Sequence, residues 1–341
     1  MNRDLGLCWL AIAFCFAAVL PAFAQQETHT KPRAHDLGVP FDGKPGPLNA
    51  ITDVAGVTVG HTTLTSGEGK LQIGKGPVRT GVTAVLPRGL DSMMNPVFAG
   101  WWSLPLVAET WDGWLNDING FHVKPEHAFH AIDSAHGGAV EEGNVGGGTG
   151  MVCNGFKGGI GTSSRKLDEK SGGYTVGVLV QCNYGTKDNL RIAGIPVGRE
   201  IAADDPYAST SFVNDDHGSI IVVVATDAPL VAHQLKRLAR RVSLGLGRNG
   251  SISGNGSGDI FIAFSTANSG AAATDHVVDL KMLPNDKLGP VFASTVQATE
   301  EAVVNAMVAA ETMTGIENHK VVALPHDKLR AVLKKYNRLT Q

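Results

Sequence analysis

Two apolar runs, Tyr174 to Gln181 and Gly218 to Thr226, carry no charge and are rich in valine and isoleucine. Runs of that kind suit strands covered on both faces. Shorter β-patterned stretches, 55–60 and 81–87, flank a Gly/Ser/Lys-rich segment, 63–77, that reads as a loop or hairpin. Helical spacing recurs along the chain. It covers His127 to Ala139, closed by Gly137-Gly138. It recurs from an N-cap at Asp227 with Pro229 in the first turn, where Leu230, Leu235, Leu238 and Val242 lie opposite Lys236, Arg237, Arg240 and Arg241. A long Ala/Val/Met-rich helix is expected over Val291 to Thr312. A short strand, Val321 to Pro325, then leads into a terminal helix, Asp327 to Tyr336. Residues 25–45 read as an extended arm and Lys157 to Arg165 as a Gly/Ser turn. Val97 to Thr110 is apolar around Trp101 and Trp102. Strands buried on both faces beside long apolar helices imply a layered α/β sandwich with helices outside, built as one domain.

Two stretches break the pattern with dense glycine. The first is Glu142-Gly-Asn-Val-Gly-Gly-Gly-Thr-Gly-Met151; the second is Asn249-Gly-Ser-Ile-Ser-Gly-Asn-Gly-Ser-Gly258. Neither has the Gly-Lys-[Ser/Thr] ending of a P-loop or the strand-to-helix setting of a dinucleotide fingerprint. What remains is tight turning, or backbone N–H groups arranged as an oxyanion hole. Ahead of them, Thr110-Trp-Asp-Gly-Trp-Leu-Asn-Asp-Ile-Asn-Gly120 alternates polar and aromatic residues, which suits a pocket wall including Trp111 and Trp114. His122, His127, His130 and His136 cluster in sequence. Without the supporting spacings of a zinc site they read as ordinary histidines.

Composition narrows the functions. The chain has 341 residues, 43% hydrophobic and 18% charged, with a formal net charge of −3. That balance gives no electrostatic footprint for nucleic acid or an anionic membrane. The N-terminus reads as an export signal, residues 1–24: Arg3, an uncharged apolar run from Leu5 to Leu20, and a small-x-small ending at Ala24. The mature chain would then be periplasmic or secreted, with no membrane attachment after removal of the signal. It would keep only Cys153 and Cys182, free or paired.

One dipeptide, Gly250-Ser251, offers chemistry that needs no histidine. A serine hydroxyl needs an adjacent base. If the peptide before Ser251 were cut, its own α-amine would serve. With a reference pKa near 7.7, roughly a sixth of that amine is unprotonated at pH 7. Gly250 suits the scissile position because glycine tolerates strained backbone. On residues alone, a plain loop competes with this reading.

The surrounding residues resemble the processing site of the DmpA-type aminopeptidases, the family of L-aminopeptidase/D-esterase and the bacterial β-peptidyl aminopeptidases. The resemblance extends, in order, through Asn49-Ala-Ile-Thr-Asp-Val-Ala-Gly-Val-Thr-Val-Gly-His61, Thr110 to Gly120, Glu142 to Met151, Lys157-Gly-Gly-Ile-Gly-Thr-Ser-Ser-Arg165 and Ser219-Ile-Ile-Val-Val-Val-Ala-Thr-Asp-Ala-Pro229. It implies a four-layer αββα sandwich of the DmpA/ornithine-acetyltransferase type, similar to N-terminal-nucleophile hydrolases. It also implies self-cleavage of 25–341 into 25–250 and 251–341, which stay together, usually as a tetramer of such pairs. The activity implied is removal of N-terminal residues from peptides, amides or esters through an acyl-enzyme on Ser251. Carried over by position, Glu142 (with Glu141 as its neighbour and rival) would bind the substrate's ammonium. Thr299 and Glu301 would assist proton movement, Asn214 would stabilise the oxyanion, and Asn144 would stand where some members carry an aromatic pocket residue. Acyl transfer to an amine, hydrolysis of linear amide oligomers and a non-catalytic binding role stay open at this point.

Overall fold

The computed structural model describes residues 31–89, 105–203, 206, 218–272 and 275–340. Strands β1 (Thr58–Ser66) and β2 (Val78–Leu86) pair antiparallel as a hairpin. Helix α1 (Pro125–Asp133) packs across that hairpin. Its approach is close enough that a Cβ on Gly60 would stand 2.1 Å from the Ala131 carbonyl oxygen. Two-residue strands β3 (Val152–Cys153) and β4 (Phe156–Lys157) lead into the main sheet.

That sheet has the order β5 (Gly159–Lys166), β6 (Thr175–Asn183), β7 (Ser219–Thr226), β8 (Ile260–Ser265), antiparallel except for the parallel β7–β8 pair. Successive side chains alternate between its faces. Leu179 and Ala225, with Ile160, meet Val59 of the hairpin and Ile51 and Val54 just before it. Val178, Val180, Val222 and Val224 point the other way, into a core shared with the helices. Those helices are α3 (Ala232–Ala239), α4 (Val242–Arg248) and the long α5 (Gly289–Val308), preceded in the chain by the short α2 (Val197–Glu200). Strands β9 (Met313–Thr314) and β10 (Lys320–Val321) and helix α6 (His326–Lys335) finish the chain. The layers run α1, β1–β2 hairpin, β5–β8 sheet, α3–α5, which is the expected αββα order.

Three local expectations change. Lys157 to Arg165 is not a turn: Lys157 ends β4, and Gly159 to Arg165 belong to β5, the first strand of the main sheet. Its glycines serve packing, because a Cβ on Gly161 would lie 2.0 Å from the Ala302 carbonyl oxygen of α5. The helix expected from Asp227 begins only at Ala232, and Asp227 Oδ1 instead accepts the Thr175 N–H at 2.7 Å. The segment expected as an extended arm is part of the core from Arg33 onward, with Ala34, Leu37 and Val39 buried. Cys153 and Cys182 are disulfide-bonded, tying β3 to β6. Residues 97–104, with Trp101 and Trp102, lie outside the described residues.

Candidate active site

Helix α4 delivers the second glycine stretch. Val242 and Leu246 anchor its buried face, and the Leu246 carbonyl accepts from both Asn249 N–H (3.0 Å) and Ser251 N–H (3.1 Å). Asn249 is buried, and its carbonyl accepts the Arg191 N–H at 3.0 Å. Gly250 sits at φ +96°, in the region glycine favours. A Cβ there would lie 1.8 Å from the Asn189 carbonyl oxygen. Ser251 is half-buried, its Oγ accepting from Ser253 N–H at 3.1 Å, and beyond it Ile252 and Ser253 are exposed. The Gly250–Ser251 peptide is therefore held rigidly on one side and faces solvent on the other.

Helix α5 passes beside α4. Gly245 of α4 lies against Thr299, where a Cβ would come within 2.6 Å of the Thr299 Cβ. The Thr299 hydroxyl donates to the Thr295 carbonyl at 2.8 Å. Two residues on, buried Glu301 pairs with Arg165 (2.7 Å) and accepts from Asn49 Nδ2 (2.6 Å). Glu300 faces the other way, onto Arg248 at 2.7 Å.

Glu142 is also buried, and it is occupied. Its Oε1 accepts the Thr162 N–H at 2.8 Å, and its Oε2 stands 2.8 Å from Arg33 Nε, an ion pair without the alignment of a hydrogen bond. Arg33 is 2% exposed and donates to the carbonyls of Leu48, Asn49 and Thr162 as well. Burial pushes the Glu142 carboxyl above the usual range, and the Arg33 charge opposes that. Glu141 beside it is exposed.

Most backbone donors of the first glycine stretch are engaged. Gly146 N–H goes to Thr63 Oγ1 (2.8 Å) and Gly147 N–H to Thr83 Oγ1 (3.1 Å). Gly148, Thr149 and Met151 donate to carbonyls within the turn. Two of the donors thus meet hairpin hydroxyls and others close the turn itself, which gives this loop a structural role. In the second stretch Ser257 N–H bonds Gly254 O and Gly258 N–H bonds Ser219 Oγ.

Of the expected pocket residues, Trp111 is exposed and Trp114 stacks on His319 at 3.9 Å between ring centres. Asn144 clasps the backbone of Glu311, donating to its carbonyl (2.8 Å) and accepting its N–H (3.0 Å). Asn214 lies outside the described residues. The four clustered histidines go separate ways: His122 to Asp117, His127 to the Lys124 N–H, His130 to Thr62, and His136 to the Ser134 carbonyl.

Comparison with known proteins now decides the family. The profile of Peptidase family S58 matches residues 49–104 and 100–321. The chain belongs to peptidase family S58. It is 51% identical to the beta-peptidyl aminopeptidase BapA of Sphingosinicella microcystinivorans, over 90% of this chain and 93% of that protein. It is 42% identical to the BapA of Sphingosinicella xenopeptidilytica, over 96% and 97%. Among solved structures it resembles the L-aminopeptidase D-Ala-esterase/amidase of Ochrobactrum anthropi. The TM-score is 0.79 at 41% identity, covering 91% of this chain and all of that one. That structure is described as a prototype for the serine aminopeptidases and a variant among the Ntn hydrolase fold. A Burkholderia sp. beta-aminopeptidase matches at TM-score 0.78 and 38% identity, over 89% of this chain and 99% of that one. The chain is thus an aminopeptidase hydrolase with an N-terminal-nucleophile type of fold.

Sequence reasoning missed several buried polar and charged residues. Arg33 and Asn49 lie in or beside a segment read as an arm. Lys157 is fully buried, its Nζ donating to the carbonyls of Met151 (2.8 Å), Gly158 (2.8 Å) and Gly148 (3.4 Å). Arginine and lysine are rarely buried without partners, but nothing local in the sequence marks Arg33 or Asn49 as inward. The one available signal was the apolar setting of Lys157, directly after Phe156 and before two glycines.

Proposed function

We propose that this aminopeptidase is self-processing and uses Ser251 as its nucleophile. The observation that carries the reading is Gly250. Only glycine fits there, against the Asn189 carbonyl and at φ +96°, immediately before a half-buried serine. In the first step Ser251 Oγ attacks the Gly250 carbonyl carbon, the C–N bond breaks, and the amine leaves carrying the hydroxyl proton. Water then opens the ester, giving a Gly250 carboxylate and a free Ser251 hydroxyl and α-amine. In turnover that amine takes the Oγ proton as Oγ attacks the substrate's carbonyl. It then protonates the departing amine, and water releases the acyl group. Thr299 and Glu301 are assigned to proton movement. The contact of Thr299 with α4, the helix that ends two residues before Gly250, supports including it. Glu142 is assigned to the substrate's ammonium, a charge-assisted partner for a carboxylate; its engagement by Arg33 means that the ammonium would join an existing pair. Asn214 is assigned to the oxyanion, and Trp111, Trp114 and Asn144 to the pocket. No metal or organic cofactor is proposed. The names of the two relatives point to N-terminal β-residues as substrates, beside α- and D-residues on peptides, amides or esters.

Purified protein should run as two fragments parting at Gly250–Ser251. Ser251→Ala should stay whole and lose turnover by a factor on the order of 10⁴ or more. A single intact chain with full activity would overturn the proposal. A panel of chromogenic amides bearing α-, β- or D-residues ranks the substrates.

Export belongs to the same proposal: removal of residues 1–24 and residence in the periplasm or outside the cell. The Cys153–Cys182 bond supports an oxidising compartment. N-terminal sequencing of the larger fragment should begin at Gln25, and light scattering tests assembly of the fragment pairs into a tetramer.

A further inference from the structure

The tripeptide Asn-Gly-Ser occurs twice in the second glycine stretch, at Asn249-Gly250-Ser251 and at Asn255-Gly256-Ser257. Local chemistry is the same in both, so any choice between them has to come from the fold. The two copies sit in opposite environments. Asn255 and Gly256 are exposed in a turn, and the Ser257 hydroxyl donates to Asp259 Oδ1 at 2.6 Å, which leaves it engaged with a carboxylate. The first copy is clamped. Asn249 is fully buried, its backbone carbonyl accepts the Arg191 N–H (3.0 Å), and its Nδ2 reaches the Arg191 carbonyl (3.4 Å). Gly250 is pressed onto the Asn189 carbonyl, and the N–H groups of Gly250 and Ser251 are tied back to Gly247 and Leu246.

Asn249 Oδ1 adds a second, independent mark. It is buried and finds no hydrogen-bond partner among the described residues. Leaving a buried acceptor without a donor is unfavourable. A buried acceptor left unmet beside the bond to be cut calls for a functional explanation.

We propose that Asn249, docked on the backbone of residues 189–191, is a positioning residue for self-cleavage. It holds Gly250–Ser251 in the reactive arrangement and so makes the first Asn-Gly-Ser the cut site and not the second. The inference deepens the self-processing reading and rests on it. The side chain acts through the geometry of the scissile peptide and touches neither the substrate nor the reacting atoms in turnover.

The test follows cleavage and turnover separately. Newly folded wild type, Asn249→Ala and Asn255→Ala are sampled over time, with intact mass locating the cut. Amide hydrolysis is then measured per cut molecule. Asn249→Ala should cleave at least tenfold more slowly, with turnover per cut molecule within a small factor of wild type. Asn255→Ala should cleave at the wild-type rate, and every product should part at 250/251. Should Asn249→Ala show no cooperative melting, Asn249→Asp, of nearly the same size, takes its place with the same expected slowing. Wild-type cleavage rates in the Asn249 variant, or wild-type cuts shared between 250/251 and 256/257, overturn the inference while leaving self-processing intact. A merely structural role would lower turnover per cut molecule together with cleavage and likewise overturns it. A wild type that remains whole and active overturns the self-processing reading itself.

Discussion

Residues 143–151 and 250–258 are both dense in glycine, yet the fold uses them for opposite ends. The first is interior. Most of its N–H groups meet hairpin hydroxyls, the Ile160 carbonyl or its own carbonyls, and added side chains would strike backbone: a Cβ at Gly148 would lie 2.4 Å from Ile160 N, and one at Gly143 2.2 Å from Ala309 O. The second is clamped only at Asn249-Gly250, and from Ile252 to Gly258 it is mostly exposed without regular structure. Glycine in the first stretch lets layers approach. In the second it permits one closely docked, left-handed residue with exposed chain beyond it. The comparison teaches that glycine density alone says nothing of chemistry; which backbone donors and faces remain unsatisfied does.

The sharpest way to break that contrast, after the loss of turnover expected for Ser251→Ala, is to remove the charge that locks the first stretch from behind. Arg33→Met leaves Glu142 buried without its cation. Breaking a buried pair from one side costs about 3–5 kcal/mol. Denaturant unfolding should show a loss of that order. The double variant Arg33→Met/Glu142→Gln should recover part of it, because no unpaired charge remains. If the double variant is as unstable as the sum of the singles, the Arg33–Glu142 contact is not the coupling that holds this loop.

Arg33 also shows where sequence reading stopped. The apolar runs of β6 and β7 announced two-sided strands because their side chains enter apolar clusters on both faces of the sheet. The long α5 was visible within a few residues for the same reason. Ser251 was legible because its chemistry is local: a serine, a glycine before it and a prospective amine. By contrast β5, read as a turn, is a strand whose small residues make sense only once α5 lies on Gly161. Arg33, Asn49, Arg165 and Lys157 face inward because of partners up to hundreds of positions away, as with Asn49 and Glu301. Their polarity argued for the surface, and only tertiary pairing overrides that.

A finer test separates the two stretches by size alone. Gly148→Ala should destabilise by about 1–3 kcal/mol, the usual range for overpacking a filled interior. Gly256→Ala, in the exposed turn, should stay within about 0.5 kcal/mol of wild type. Thermal or urea unfolding of the two variants reads this directly. Equal losses would mean that the second stretch is as closely packed as the first.

The smallest expected effect concerns Lys157, which closes the first stretch by donating to the carbonyls of Gly148, Met151 and Gly158. Among the described residues its ammonium meets backbone carbonyls and no carboxylate, and burial, with some repulsion from Lys31, lowers its pKa from 10.5 to about 7. In the unfolded chain the lysine keeps its proton up to about 10.5, whereas in the folded protein it gives the proton up near 7. Between those values the unfolded state binds more protons, so stability rises with pH across this window by at most one proton's worth of slope. Lys157→Met removes that contribution and leaves the three carbonyls without their donor. Guanidinium unfolding at pH 7, 8 and 9 should therefore show the wild type gaining on the variant as pH rises. Parallel pH dependences would mean that Lys157 stays protonated inside the loop, and that the carbonyls of the first glycine stretch hold a full charge in a way that the second stretch, open to water, never has to.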